Sequence, residues 1–142
     1  MKYINRTIEK TIEDFIGKYP VIMITGPRQV GKTTPLNYLS EKSLKKINYV
    51  TFDDLMDRMR ANEDPELFLR TNDTPLIIDE FQYVPNLLSY IKINVDEARR
   101  KAMFEKGDEV GTMYYLTGSQ VFQTMKNVSE SLSGRVGIFD LY

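Results

Sequence analysis

Apolar residues near the amino end recur at helical spacing. Ile4, Ile8, Ile12, Phe15 and Ile16 share one face with charges between them, a pattern that predicts a helix ended by Gly17 and Pro20. The period then changes. Val21-Ile22-Met23-Ile24 is an unbroken apolar run, as expected of a strand buried on both sides. It leads into the glycine-framed segment 26–33, GPRQVGKT, and a helix is expected from Thr33 to about residue 39. A second strand is predicted over 46–52, closed by Asp53-Asp54. Two short helices follow over 55–60 and 65–70, divided by Asn62-Glu63-Asp64. Residues 75–80, PLIIDE, read as a third strand. Pro85 suits a helix start, and Leu87, Leu88, Ile91, Val95 and Ala98 form the apolar stripe of a long helix. A fourth strand is predicted over 113–116, a short helix over 121–125 and a fifth strand over 136–141.

Alternation of strands with helices predicts an α/β fold: a parallel sheet covered on both faces. The 142 residues suit one domain, 1–142, and no internal repeat or low-complexity tract interrupts them. The chain stops inside its fifth strand, which is expected of an N-terminal piece of a longer protein.

Composition narrows the chemistry. With 42% hydrophobic and 27% charged residues the chain is ordinary for a globular domain. A net charge of −1 gives no global attraction to nucleic acid or an anionic membrane. Cysteine and histidine are both absent, which excludes disulfides, thiolate nucleophiles, imidazole acid–base catalysis and His- or Cys-ligated metals. Carboxylates, Lys, Tyr and hydroxyls remain. No apolar run reaches the length of a membrane span and the amino end is not a signal peptide, so a cytoplasmic location is the expectation.

The segment 26–33 matches GxxxxGK[ST], the phosphate-binding loop, and sits between a buried strand and a helix start. Gly26 and Gly31 let the backbone curl so that the N–H groups of Gly26, Pro27's neighbours Arg28, Gln29 and Val30, then Gly31, Lys32, Thr33 and Thr34 surround a phosphate. Lys32 supplies an ammonium for the β- and γ-phosphates, and Thr33 a hydroxyl for Mg²⁺. The following helix points its positive end at the same anion.

A second constellation lies about fifty residues on, where Asp79 and Glu80 end the third strand. Asp79 is placed to hold a water of Mg²⁺. Glu80, pointing the other way by strand alternation, is the candidate for polarising an attacking water. An acidic strand cap is the bland alternative for the pair taken alone. Thr117-Gly118-Ser119-Gln120 ends the fourth strand, where open α/β sheets bind ligands; Ser119 or Gln120 either senses the γ-phosphate or merely forms a polar turn. Arg135 either stabilises transition-state charge, in its own subunit or across an interface, or is a surface arginine in a turn. Asp53-Asp54 suits a turn better than a metal contact. Arg99-Arg100-Lys101 suits a solvated helix end favoured by the dipole better than a nucleic-acid or partner contact.

With these pieces in view, the chain resembles the AAA+ superfamily ATPases of bacteria and archaea, in particular the fourteenth AAA domain family. The segments that carry the resemblance are ITGPRQVGKTT, PLIIDEFQYVPNLLSYIK, NVDEARR, YYLTGSQ and SESLSGRV, together spanning Ile24 to Val136. The resemblance implies a P-loop sheet of order 5-1-4-3-2, with Lys32 and Thr33 as the Walker A pair, Asp79 as the Walker B aspartate and Glu80 as the catalytic base. It implies ATP as the nucleotide and a further C-terminal domain. Ser119 or Gln120 would then lie near the γ-phosphate, and Arg135 matches an SLxGR segment. Pro35 departs from the usual leucine of such loops; at the edge of a first helical turn it is expected to distort locally without abolishing phosphate binding.

The leading expectation is therefore an ATP-binding, Mg²⁺-dependent hydrolase module. Its rival is a nucleotide-dependent switch or scaffold that binds ATP with little turnover and gates a protein or DNA partner through a missing C-terminal region; homo-oligomerisation is open. A small-molecule kinase is disfavoured, because a water-activating glutamate serves hydrolysis better than transfer to a bound alcohol.

Overall fold

Parallel strands cannot be joined by tight turns, so each crossover in such a chain must carry a helix or a long connection. The computed structural model describes residues 17–25, 46–105, 111–118 and 122–140. In it five strands, Val21–Thr25 (β1), Asn48–Thr51 (β2), Leu76–Asp79 (β3), Tyr114–Gly118 (β4) and Val136–Asp140 (β5), form one sheet in the order β2-β3-β4-β1-β5. Taken from the other edge this is the expected 5-1-4-3-2. Every pairing is parallel. Helices Leu55–Glu63 (α1) and Pro65–Thr71 (α2) connect β2 to β3; Leu87–Glu105 (α3) connects β3 to β4; Phe122–Ser131 (α4) connects β4 to β5. The predicted helices over 4–16 and 33–39 lie outside the described residues.

The sheet divides its side chains by parity. Val21, Met23, Val50, Leu76, Ile78, Tyr114 and Leu116 join Ala61 and Phe68 of α1 and α2, Leu87, Leu88, Ile91 and Val95 of α3, and Val128 of α4 in one buried cluster. Ile22, Ile24, Ile77 and Tyr115, on the opposite face, are equally buried, so both faces are covered. This is why β1 reads as a continuous apolar run rather than an alternation.

Several boundaries move from where the sequence pattern put them, each for a local reason. β3 starts at Leu76, because Pro75 accepts from Asn48 N–H at 2.9 Å but has no N–H to give the ladder. The break between α1 and α2 is one residue, not three. Asp64 donates its backbone N–H to Arg60 O at 3.1 Å, closing α1, and its carboxylate accepts from Leu67 N–H at 3.1 Å, opening α2. β4 runs on to Gly118 because Thr117 and Gly118 still pair with Ile24 and Thr25. A 3₁₀ turn over Phe81–Tyr83, absent from the sequence pattern, delays the start of α3 from Pro85 to Leu87. The short helix expected over 121–125 extends to Ser131, and the chain then turns through Gly134, whose φ of 78° favours glycine.

Asp54 caps α1: its carboxylate accepts from the N–H groups of Met56 at 2.9 Å and Asp57 at 3.3 Å. Replacing a capping Asp by Ala typically costs ~1 kcal/mol. Asp54→Ala is therefore expected to destabilise the fold by that amount, read from the shift of the denaturant midpoint. Retention of the wild-type midpoint would remove Asp54 as a cap that stabilises the fold.

Candidate functional site at the carboxyl edge of the sheet

Parallel register sets the site. Thr51 lies opposite Asp79, and Asp79 lies one residue beyond the Ile78–Leu116 pair, beside Thr117. Residues in register on parallel strands share a face, so Thr51, Asp79 and Thr117 stand in a row at the carboxyl ends of β2, β3 and β4. The two threonines donate their hydroxyls to the aspartate: Thr117 Oγ1 to Oδ1 at 2.5 Å and Thr51 Oγ1 to Oδ2 at 3.2 Å. Tyr49, two residues back on the same face, donates its phenol to Oδ2 at 3.0 Å. Burial, the charge of Asp79 and the hydrogen bond to it push the Tyr49 phenol up to about 12, so it remains a donor across the physiological range. Asp79 is only 9% exposed. A carboxylate offers about four lone-pair positions, and three are taken by hydroxyls. The remaining position suits one further contact.

Glu80 corrects an expectation. Strand alternation would turn it away from Asp79, but its backbone is left-handed, with φ 55° and ψ 48°. The strand ends at Asp79, and the reversal brings Glu80 back toward the same edge. One oxygen each from Asp53, Asp79 and Glu80 lie within 4.8 Å of one another. Asp79 and Glu80 are buried; Asp53 is exposed. The dipeptide after β2 is thus divided between two tasks, with Asp54 capping α1 and Asp53 joining the acids rather than serving only the turn. Within this all-oxygen group Asp79, with one lone-pair position left, fits a hard cation that keeps water ligands, as Mg²⁺ does, and Glu80 lies close enough to act beside it.

The turn after Glu80 is fixed from both sides. Phe81 is fully buried. The Arg58 guanidinium lies 3.8 Å from the centroid of the Tyr83 ring and donates from Nε to Phe52 O at 2.8 Å, tying the turn to the end of β2. Between these anchors, Gln82 Nε2 donates to Glu80 Oε1 at 2.8 Å.

The phosphate-loop residues Gly26, Pro27, Arg28, Gln29, Val30, Gly31, Lys32, Thr33 and Thr34, together with Pro35, Ser119 and Gln120, lie outside the described residues. Their neighbours do not. Thr25, the last residue of β1, precedes Gly26, and Gly118, the last of β4, precedes Ser119; both are at the same edge as Asp79. Tyr49, Thr51, Thr117 and Gln82 were missed by sequence reasoning. Alternation of Tyr49 and Thr51 along β2 was a usable signal, but their facing Asp79 depends on register.

Residues 18–142 match the family described as AAA domain, the fourteenth of that designation. The chain belongs to the AAA domain family. That makes it a nucleotide-binding module of ATPase type. Two curated mycobacterial relatives are similar: the uncharacterized protein Rv2008c of Mycobacterium tuberculosis and the uncharacterized protein Mb2031c of Mycobacterium bovis. Each is 36% identical over 124 residues, covering 86% of this chain and 25% of the relative. The AAA domain chain thus spans about a quarter of the length of these relatives. Among its described residues, no helix is long and apolar enough to cross a membrane.

Arg135 of this AAA domain is placed away from the acids. Its carbonyl accepts from Val21 N–H at 3.1 Å, so it sits at the amino edge of the sheet. β5 separates that edge from the carboxyl edge by about 13 Å at ~3.3 Å per residue. Its guanidinium is engaged by Asp96 of α3, with Nε to Oδ1 at 2.6 Å and Nη2 to Oδ2 at 3.0 Å, and Nη1 donates to Ser133 O at 2.8 Å. This corrects the expectation of transition-state stabilisation within its own subunit: Arg135 ties α3 to the turn before β5. The basic run is also relocated. α3 continues to Glu105, so Arg99, Arg100 and Lys101 are not its last turn. Arg99 Nη2 donates to Gly134 O at 3.3 Å, and Lys101 pairs with Glu97 at 3.6 Å.

The Arg135 hydrogen bonds hold the Asp96 carboxyl below its usual range, with burial opposing and the charges of Arg135, Lys92 and Arg99 assisting. A depressed folded-state value means stability present above the unfolded carboxylate value of ~3.9 and lost as pH falls through the folded one. The Asp96 side chain is 44% exposed, so solvent screens the pair. Arg135→Met is expected to cost about 0.5–1 kcal/mol at neutral pH. Denaturation measured at falling pH should show the variant and wild type converging below about pH 4. A gap that persists well below that range would mean the loss is one of packing, not of charge.

Proposed function

We propose that this AAA domain binds ATP with Mg²⁺ and hydrolyses it to ADP and phosphate. The observation that carries the proposal is the meeting of Asp79 and Glu80 within 4.8 Å at the edge where β1 hands over to the phosphate-loop sequence. β4 alone separates β1 from β3, so the start of that loop and the acids are about two strand spacings, ~10 Å, apart. A triphosphate spans such a gap.

In this reading, backbone N–H groups over 26–34 and the Lys32 ammonium bind the β- and γ-phosphates. Thr33 and Asp79 hold Mg²⁺, which neutralises phosphate charge when bound. The hydroxyl row of Tyr49, Thr51 and Thr117 holds the Asp79 carboxylate in place at the sheet edge. Glu80 accepts a proton from the attacking water as the water oxygen bonds to the γ-phosphorus; the bond from that phosphorus to the β–γ bridging oxygen breaks, and ADP leaves with the electron pair. Ser119, next after Gly118, contacts the γ-phosphate. The choice of ATP over other nucleoside triphosphates rests on family kinship. The work that hydrolysis drives, and any protein or DNA partner or self-association, belongs to the whole protein.

Two substitutions test the assignment. Lys32→Ala is expected to abolish ATP binding, read by titration of a fluorescent analogue. Glu80→Gln should bind within about threefold of wild type while single-turnover hydrolysis falls by ~10²–10⁴-fold. Equal loss of binding in both variants would overturn Glu80 as the base. A wild-type protein that binds tightly with no single turnover would replace the hydrolase with a nucleotide-gated switch.

A further inference from the structure

Gln82 carries an unusual pair of contacts. Its Nε2 donates to Glu80 Oε1, while its Oε1 is buried without a hydrogen-bond partner among the described residues. The amide cannot be turned over to relieve this. An ionised carboxylate only accepts, so exchanging the amide's ends would set two oxygens face to face. A buried amide oxygen left unpaired is costly and needs a physical cause.

The oxygen faces the end of β4. A Cβ placed on Gly118 would stand 2.5 Å from Gln82 Oε1, and the next nearest atoms are 3.6 Å away or more. Gly118 is not among the glycines with positive φ, so it is not required there for backbone conformation. What a side chain would change is space: a Cβ there would force the end of the Gln82 amide to move. Gln82 itself is held in place by the buried Phe81 before it and by Tyr83, stacked under Arg58, after it. The amide is therefore wedged between the Glu80 carboxylate and the backbone at the end of β4.

We propose that Gln82 is a positioning residue for hydrolysis: it sets the direction of the Glu80 carboxylate and makes it follow the end of β4, where Ser119 comes next in the chain. The inference rests on Glu80 as the water-activating base. It gives Glu80, whose left-handed backbone departs from the strand, a mechanical link to the end of β4.

Two single variants attack the contact from opposite sides. Gln82→Met keeps length and removes both polar ends; Gly118→Ala keeps the amide and fills its space. Each is expected to bind an ATP analogue within about threefold of wild type, melt near the wild-type temperature and lose about ten- to a hundredfold in single-turnover rate. Because both act through one contact, the double variant should be no slower than the slower single. Multiplying losses, or unchanged turnover in Gln82→Met, would overturn the inference. Activity lost in Glu80→Gln but intact in Gln82→Met sinks this inference alone, whereas activity surviving in Glu80→Gln sinks the base assignment beneath it. A crystal structure of Gly118→Ala reads the contact without turnover: a reoriented Glu80 carboxylate is expected, and an unmoved one overturns the link.

Discussion

The structure depends on the parallel register that sets Asp79 between Thr51 and Thr117. Burying a carboxylate is unfavourable unless its oxygens are hydrogen-bonded. Asp79 meets that condition through hydroxyls from the strands on either side, with Tyr49 adding a third from the sheet's outer edge. A slip of one residue in either pairing would send those hydroxyls to the opposite face and set apolar neighbours against the carboxylate. The chemistry of the edge and the pairing of the sheet are thus one constraint. The acid can be where it is only because β2, β3 and β4 are aligned, and the alignment gains hydrogen bonds because the acid is there.

From that fixed point the second acid is added by breaking a rule. A glutamate in the left-handed region is disfavoured, at a cost of order 1–3 kcal/mol, and such residues gather where geometry matters more than comfort. The strain at Glu80 is offset by the three residues after it. Phe81 plugs into the core beneath the sheet edge, Arg58 clamps Tyr83 from α1, and Gln82 returns a hydrogen bond to the carboxylate. Four consecutive residues therefore convert the end of a strand into a held second carboxylate.

Much of this fold is legible in one sequence because strongly apolar runs and helical stripes leave little freedom. Val21–Ile24, Leu76–Ile78 and the stripe from Leu87 to Val95 are buried where their periodicity puts them. The acid pair is legible too, since adjacent carboxylates closing an apolar strand stand out against the residues before them. The illegible part depends on contacts between distant segments. Nothing local to Thr117 or Tyr49 indicates that each faces Asp79, because register is a property of paired strands. Nothing local to Glu80 announces a positive φ, since the residue type argues against it. Arg135 misleads for the same reason: its sequence neighbours suggest a loop at the site, whereas its position is set by Val21 and Asp96, far away along the chain.

The two ends of the sheet consequently do different work. In open α/β folds ligands gather beyond the carboxyl ends of the strands, where helix amino ends and loop N–H groups converge. Here that end collects Asp53, Asp79, Glu80 and the hydroxyl row, with backbone strain at its centre. The amino end collects stabilising contacts instead. Thr112 donates to Tyr19 O at 2.7 Å and accepts from Gly17 N–H at 3.0 Å, Pro20 O accepts from Met113 N–H, and Arg135 grips Asp96. Such a division lets the carboxyl edge carry the buried Gln82 amide oxygen and a disfavoured backbone without loosening the sheet. The same strands are fastened at their other ends by conventional, well-satisfied bonds.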